Sequence, residues 1–285
     1  MKDSNMFDLR LPAEMAKAAE QAGVYKINKK KKVSFFLAVM AGIFISIAFT
    51  FYITVITGEF PADSLTKLTG GLCFSLGLIL VVICGADLFT STVLTTIAKA
   101  SGLVTWRQLI NNWLLVYFGN LVGAIFFVLL IWYSGQIMKS NGLWGLNVLL
   151  TADHKMHYTF IEAVCLGILC NLMVCLAVWL SYSGRSLTDK VIAMLMPVSM
   201  FVASGFEHSI ANMFMIPLAV LIRNFAPDKF WEATHSSANS FSSLTISNFI
   251  TDNLIPVTIG NIIGGGILVG LTYWIIYLRS SNKTQ

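Results

Sequence analysis

A glutamate and a histidine stand side by side inside a long apolar run of the sequence. The stretch MFVASGFEHSIANMF, residues 200–214, places Gly205, Glu207, His208 and Asn212 within eight positions. A carboxylate and an imidazole can take up, hold and release a proton. Ionisable side chains are costly at membrane depth, and there they mark pathways for solutes or protons. We therefore interpret His208 as a pathway residue rather than as a hydrogen-bonded core residue.

A second apolar run carries a similar polar interruption. In CGADLFTSTV, residues 84–93, Gly85 and Asp87 have the same spacing as Gly205 and Glu207. An interrupted helix survives inside a bilayer only against protein or a watery cavity, so the matched interruptions predict two broken helices. The carboxylates are expected to cap backbone N–H groups where each helix resumes.

The two interruptions differ at one position, because Leu88 occupies in the first run the place that His208 occupies in the second. Chemistry that needs a single ionisable group would break the symmetry in this way. The breaks are expected to converge near the middle of the membrane and to form a solute pathway. They would bring together Asp87, Thr90, Ser91, Glu207, His208 and Asn212.

The composition is that of an integral membrane protein. Of the 285 residues, 56% are hydrophobic and 12% charged, and the mean hydropathy is +0.74, whereas soluble domains carry about a quarter charged residues. Each of six apolar runs is long enough to span a bilayer as a helix. These runs cover residues 33–57, 68–98, 106–134, 158–181, 190–222 and 254–278. The fold class is therefore an all-α integral membrane protein with six transmembrane helices.

The charges orient the chain. With the N-terminus inside, fourteen of the 19 Lys and Arg residues fall on the inner side, which places both termini in the cytoplasm. The net charge of +5 has this origin and does not indicate nucleic-acid binding. We predict a cytoplasmic segment over 1–32, a six-helix channel domain over 33–279 and a cytoplasmic tail over 280–285.

The N-terminal segment begins with a predicted amphipathic helix over residues 11–23, with Pro12 in its first turn and Gly23 as its cap. The following KINKKKK, residues 26–32, is typical of an orientation signal that contacts lipid headgroups. A moving plug or a partner-docking arm is the alternative interpretation of this segment.

The two halves of the chain are internal repeats. FFLAVMAGI at 35–43 matches FIEAVCLGI at 160–168, and GNLVG at 119–123 matches GNIIG at 260–264. Each half therefore orders its spans in the same way, with the broken helix in the middle. Three spans per half give the halves opposite orientations, which predicts an inverted 3+3 repeat.

Small and polar residues in the repeats are expected to join the helices. The glycines of the GN-x-x-G motifs favour close helix packing, and Asn120 and Asn261 are expected to hydrogen-bond to the broken backbone. Asn171 takes the place of Ser46 in the repeat and either lines the pore or ties helices together.

Other chemistries find little support in the sequence. DHKMH, residues 153–157, has two histidines but no further ligand, so we expect an ordinary solvated loop and no metal site. The alternative is a loop beside the entrance in which Lys155 draws anions in. An enzyme using Glu207 and His208 as an acid/base pair lacks an evident nucleophile or cofactor motif. The five cysteines fall in apolar runs and are interpreted as small buried hydrophobes. We expect neither enzymatic activity nor a cofactor.

The motifs CGADLFTST, GRSLTDK, ASGFEHSIANMF and IGNIIGGG, in this order, resemble those of the formate/nitrite transporter family, and most closely its bacterial formate channels. The resemblance covers nearly the whole chain. It implies an aquaporin-like fold, a homopentamer with one pore per protomer, and a place in the bacterial inner membrane. It also implies an N-terminal segment that takes part in gating and, in enteric bacteria, in contact with pyruvate formate-lyase.

The resemblance further implies which residues form the pore. His208 would be the central histidine, Thr90 its hydrogen-bond partner and Lys155 the lysine of an electropositive vestibule, with polar wall positions at Asn171 and Asn212. The apolar slits would comprise Phe74, Val174 and Phe201 towards one side, and Leu78 and Leu88 towards the other. The implied function is pH-gated passage of formate and similar small monocarboxylates; a nitrite or hydrosulfide channel of the same family is the alternative. The central histidine beside Thr90 would either lend the solute a proton, which gives proton-coupled transport, or offset the charge of the anion, which gives anion conductance.

Overall fold

The computed structural model describes residues 9–279 and builds them from helices and turns, with no strand among them. Residues 1–8 of the predicted N-terminal segment and the whole predicted tail, 280–285, lie outside the described residues. The first half contains α1 Pro12–Asn28, α2 Lys31–Ile56, α3 Ser64–Ile83, α4 Phe89–Thr92, α5 Thr96–Ala100, α6 Trp106–Tyr133 and α7 Leu143–Lys155. The second half contains α8 Phe160–Ser183, α9 Leu187–Ala203, α10 Ser209–Phe225, α11 Asp228–Thr234, α12 Ile246–Asn248, α13 Ile255–Asn261 and α14 Thr272–Tyr277. Two π-helical stretches, Phe249–Leu254 and Ile262–Leu271, join α12, α13 and α14 into one long rod.

Five helical segments of the described chain have the length and apolar character needed to cross a membrane, and a sixth is reached if α10 and α11, bent by 106°, count as one span. The five are α2, α3, α6, α8 and the rod within residues 238–277. The predicted span over 190–222 instead forms two 17-residue helices, α9 and α10. It is thus divided at the predicted interruption.

The repeated glycine motifs place two helix pairs in close contact. Where α6 crosses α2, a Cβ atom added to Gly123 would lie 2.0 Å from the carbonyl oxygen of Val39. Where α13 crosses α8, a Cβ atom added to Gly260 would lie 2.2 Å from the carbonyl oxygen of Val164. Backbones this close leave no room for any side chain, so the predicted packing role of these glycines is confirmed.

The N-terminal helix is longer than predicted. Pro12 occupies its first position as expected, but Gly23 does not end it, because this glycine is buried where α1 crosses α5. A Cβ atom at Gly23 would lie 3.2 Å from that of Ala98. The helix runs on to Asn28, so only residues 29–30 of the basic stretch separate it from α2.

The predicted loop over 153–157 is also partly helical. Residues up to Lys155 belong to α7, a helix too short to span a membrane. Its buried face includes Trp144, Leu149 and Ala152, and the side chain of Asn147 donates to the carbonyl of Ile56 at 2.6 Å. Tertiary packing therefore extends a helix to the end of a stretch whose polar residues suggested a loop.

Candidate functional site

The two predicted breaks are present in the structure and have the same geometry. Between α3 and α4, Gly85 adopts φ +81°, and between α9 and α10, Gly205 adopts φ +71°. This left-handed region strongly favours glycine at the end of a helix. In each break the chain is extended at the last residue before the helix resumes, which is Leu88 in one and His208 in the other.

Asn120 of α6 holds the first break in place. Its Oδ1 accepts the N–H of Phe89 at 2.8 Å, and its Nδ2 donates to the carbonyls of Asp87 at 3.0 Å and Ala38 at 2.7 Å. One buried amide thus serves two backbone groups that the interruption leaves without helical partners, those of Asp87 and Phe89, and anchors them to α2 through Ala38.

Asn261 of α13 does the same for the second break. Its Oδ1 accepts the N–H of Ser209 at 2.9 Å, and its Nδ2 donates to the carbonyls of Glu207 at 3.0 Å and Gly167 at 2.8 Å. The expected bonds from both asparagines to the broken backbone are therefore confirmed. The expectation that the acids cap the backbone is wrong, because the asparagines already fill that role.

The carboxylate of Asp87 is committed to side chains of the N-terminal region. Lys29 Nζ lies 3.0 and 2.8 Å from its two oxygens, and Ser34 Oγ donates to it at 3.1 Å. Only 3% of the Asp87 side chain is exposed. Sequence reasoning missed Lys29, because a lysine at the edge of an apolar run has the pattern of an orientation signal.

The carboxylate of Glu207 is bound in a similar way. Lys155 Nζ lies 2.5 Å from Oε1, while Asn212 Nδ2 and Asn253 Nδ2 donate to Oε2 at 2.6 and 3.1 Å. Glu207 has 1% of its side chain exposed and Lys155 13%. Asn253 lies in the π-helical stretch before α13, and nothing in the sequence distinguished it from an ordinary span residue.

His208 and Thr90 meet at the junction of the two halves. The Nε2 of His208 lies 3.1 Å from Oγ1 of Thr90. The other ring nitrogen, Nδ1, accepts the N–H of Ala211 at 3.1 Å and therefore carries no proton. A neutral ring consequently has its hydrogen on Nε2, pointing towards Thr90. The ring also stacks against Phe201, with centroids 6.0 Å apart.

Asn171 ties helices together at this junction. Its Nδ2 donates to the carbonyl of Thr90 at 3.0 Å and to that of Asn261 at 2.5 Å. Its Oδ1 has no hydrogen-bond partner in the described chain, and the same holds for Ser209 Oγ and Asn212 Oδ1. Buried oxygens without partners mark places where water or a solute can bind.

A cavity of about 440 Å³, which we call the vestibule, leads to the junction. Its lining includes Lys67, Lys155, Phe74, Phe201 and His208. The rings of Phe74 and Phe201 lie edge to face, with centroids 5.9 Å apart, and narrow the cavity beside His208.

The other predicted slit residues lie away from the vestibule. Val174, which we grouped with the two phenylalanines, is absent from the vestibule lining, as are Leu78 and Leu88. All three are buried, with 2%, 3% and 0% of their surface exposed. The structure therefore packs these three side chains in the interior and does not place them in the vestibule wall.

The whole chain has relatives of known class. Residues 13–275 match the family described as "Formate/nitrite transporter". The chain is 69% identical to "Formate channel FocA" of Escherichia coli (strain K12) and 54% identical to "Formate channel FocB" of the same strain. The first alignment covers 99% of each protein, and the second 98% of this chain and 99% of the relative.

Solved structures also match. One titled "Pentameric formate channel with formate bound" gives a TM-score of 0.83 at 54% identity, covering 88% of this chain and 100% of that one. An "FNT family ion channel" gives 0.75 at 27% identity, covering 93% and 98%. The resemblance that the motifs indicated is thereby confirmed, and the chain belongs to the formate/nitrite transporter family.

Proposed function

We propose that this protein is a channel for formate and related small monocarboxylates, with the passage running from the vestibule through the Thr90–His208 junction. The observation that carries the proposal is the hydrogen bond between Thr90 and His208, which join the two broken helices at the end of the vestibule. The relatives named formate channels share 54% and 69% of the residues, and this supports formate as the solute.

A carboxylate solute must be neutralised, or its charge offset, before it can cross the apolar slits. Moving a bare carboxylate into apolar surroundings costs tens of kcal/mol by an idealised estimate. A small carboxylic acid has a pKa of about 4, so protonating it at pH 7 costs only roughly 4 kcal/mol. Passage as the neutral acid is therefore far easier than passage as the bare anion.

The hydrogen bonds at the junction form a chain in which each group donates to the next, from Ala211 through His208 to Thr90. The N–H of Ala211 donates to His208 Nδ1, and the Nε2–H of the neutral ring donates to Thr90 Oγ1. Within the described chain Thr90 Oγ1 has no further partner, so its hydroxyl hydrogen is free to meet an oxygen of the solute. The ring thus acts as a polarised donor that aims the hydroxyl of Thr90 at the solute.

The remaining features of the proposal follow the family. The residues that carry it are His208, Thr90, Asn171, Asn212 and Glu207 at the centre, Phe74, Leu78, Leu88, Val174 and Phe201 in the slits, and Lys155 in the vestibule. A homopentamer of five pores in the bacterial inner membrane, with both termini cytoplasmic, fits the pentameric title of the matched structure and the distribution of lysine and arginine. Residues 1–32 would form a gating segment able to contact pyruvate formate-lyase, ahead of a channel domain over 33–279 and a tail over 280–285.

The N-terminal helix is placed where such a segment could act. Lys26 of α1 contacts Thr92 at 3.5 Å, next to the resumed helix of the first break. Burial lowers the pKa of Lys26 below its usual value, although Asp87 acts in the opposite direction. The docking of α1 against the first break supports a role for this helix in gating.

The test is formate uptake into liposomes, measured together with proton movement, for the wild type and for Thr90→Val. Valine keeps the shape of threonine but removes the donor, so we expect uptake to fall roughly tenfold, the effect of losing one hydrogen bond to a charged or polarised group. Thr69→Val, an exposed threonine that bonds only within its own helix, is the matched control.

Three outcomes would contradict the proposal. Unchanged uptake in Thr90→Val would remove Thr90 from the pathway. Faster wild-type uptake of nitrite or hydrosulfide than of formate would favour the alternative solutes. Chemical conversion of the solute during transport would point to an enzyme, a class that the channels and transporters among its relatives do not suggest.

A further inference from the structure

A second cavity, of about 580 Å³, lies between the α1–α2 junction and the first turns of α6. We call it the basic groove. Its defining residues are Lys29, Lys31, Arg107, Gln108, Leu114 and Phe118. No acidic residue lines it, so the groove presents only positive charge to an occupant.

Two of its three cations are available to a ligand. Lys29 is engaged by Asp87 inside the protein. Lys31 and Arg107, by contrast, form no salt bridge in the described chain and are exposed. One comes from the start of α2 and the other from the start of α6, so an anion held by both would bridge two transmembrane helices.

The groove changes from basic to apolar along α6. Leu114 and Phe118 follow Arg107 at the depths of about 10 and 16 Å that a rise of 1.5 Å per residue gives. Their side chains are 50% and 56% exposed. Gln108 and Asn111 add amide donors beside the cations. Cations and amides above an exposed apolar strip form the layout that a phospholipid matches, with its headgroup above and an acyl chain below.

We propose that the basic groove is a binding site for an anionic phospholipid. Lys31 and Arg107 hold the phosphate from two sides, Gln108 and Asn111 donate to its oxygens or to the headgroup, and one acyl chain lies along Leu114 and Phe118. A soluble phosphate compound would leave the apolar strip uncovered. The site is separate from the solute pathway, and it stands whether or not formate is the solute.

The experiment is native mass spectrometry of the purified oligomer in detergent supplemented with phosphatidylglycerol or with phosphatidylcholine. The wild type should retain phosphatidylglycerol preferentially. In Lys31→Gln/Arg107→Gln we expect the preference to fall by about 25-fold, since each basic residue near a membrane surface contributes a factor of roughly five. Lys139→Gln/Lys229→Gln, which removes two exposed charges outside the groove, should keep the wild-type preference.

Each other outcome overturns the proposal. An unchanged preference in the groove variant, or an equal loss in the control, would mean that the groove does not select the lipid. Displacement of the bound lipid by inorganic phosphate would mean that the groove is a simple anion site. Dissociation of the groove variant into protomers, seen as mass in the same spectra, with no change in lipid preference would assign the groove to contact between copies of the chain.

Discussion

The two broken helices share one scaffold but carry different chemistry. Each has a left-handed glycine, an asparagine from the third span of its own repeat that satisfies three backbone groups, and an acid paired with a lysine. The N–H groups of Asp87 and Glu207 also each donate to a carbonyl in the first helix of the repeat, those of Leu37 and Leu166, at 3.2 and 3.3 Å. Everything that holds the interruption open is therefore duplicated.

The differences lie at the tips of the breaks and in the origin of the lysines. The pair Leu88–Phe89 in the first break corresponds to His208–Ser209 in the second. Lys29 comes from the N-terminal region, whereas Lys155 ends α7 inside the helical body. The features that the two halves share therefore form the two breaks. The features that differ supply the imidazole of His208 and the ion pair that links Lys29 of the N-terminal region to the first break.

The largest effect should come from removing either scaffold asparagine. Asn120→Leu and Asn261→Leu each leave two buried backbone groups of a break without partners, at a cost of roughly 1–3 kcal/mol for each group. We expect both variants to lose the folded oligomer or to melt far below the wild type, by similar amounts. Thermal melting in detergent measures this.

Asn224→Leu is the control for these two variants, because Asn224 is exposed near the end of α10, outside both cavities. It should melt close to the wild type. If one scaffold variant were well tolerated and the other not, the two breaks would not share a common support.

The next largest loss of stability should come from neutralising the acids of the two breaks, Asp87 and Glu207. Removing one partner of a buried ion pair costs about 3–5 kcal/mol, and less where a partner is partly exposed, as both lysines are. Asp87→Asn should also free the junction after α1, because Lys29 loses its partner. Glu207→Gln should leave α1 in place. Brief trypsin treatment should therefore cut at Lys26 and Lys29 faster in Asp87→Asn only.

Equal trypsin cleavage in the two acid variants would show that the Lys29 bond does not fasten the N-terminal helix. Ser34→Ala sharpens the test, since it removes a bond of 3.1 Å to Asp87 without touching the ion pair. Its cleavage should be intermediate between that of the wild type and that of Asp87→Asn.

A third test concerns the tip of the second break. His208→Phe gives both breaks an apolar tip and removes the acceptor for the N–H of Ala211, which costs about 1 kcal/mol as for other helix caps. We expect a folded channel whose formate flux no longer changes with pH, because His208 is the one ionisable side chain at the two tips. Formate flux into liposomes at a series of pH values measures this. An unchanged pH dependence of the flux would show that His208 does not cause it. Leu88→Phe, at the equivalent position, should keep the response.

The sequence predicted the residues that form the two breaks better than it predicted the partners of the two acids. Gly85, Gly205, Asn120 and Asn261 were identifiable because each residue type has a backbone task that few others perform and because each recurs in the other half. The partners of the acids were not identifiable, since bonds such as Lys29–Asp87 join residues 58 positions apart and no periodicity links them. Sequence position alone also assigned the carboxylates a capping role that neighbouring amides had already taken.

The smallest change in stability should come from the caps at the starts of α3 and α9, the helices that lead into the two breaks. Asp63 caps α3 by accepting the N–H of Thr66 at 2.7 Å, and the hydrogen bonds from Thr66 lower the pKa of Asp63 below its usual value of 3.8. A lowered pKa stabilises the fold above pH 3.8, and this contribution is lost as the pH falls through the lowered value. The hydroxyl of Ser186 caps α9 in the equivalent place by accepting the N–H of Asp189, and a hydroxyl cannot titrate. Melting temperatures of the wild type and of Asp63→Ser should therefore converge in acid. Ser186→Ala should stay below the wild type at every pH, because the bond from the N–H of Asp189 does not depend on a proton; its deficit should shrink in acid without vanishing, since Ser186 also bonds the Asp189 carboxylate and lowers the pKa of that group.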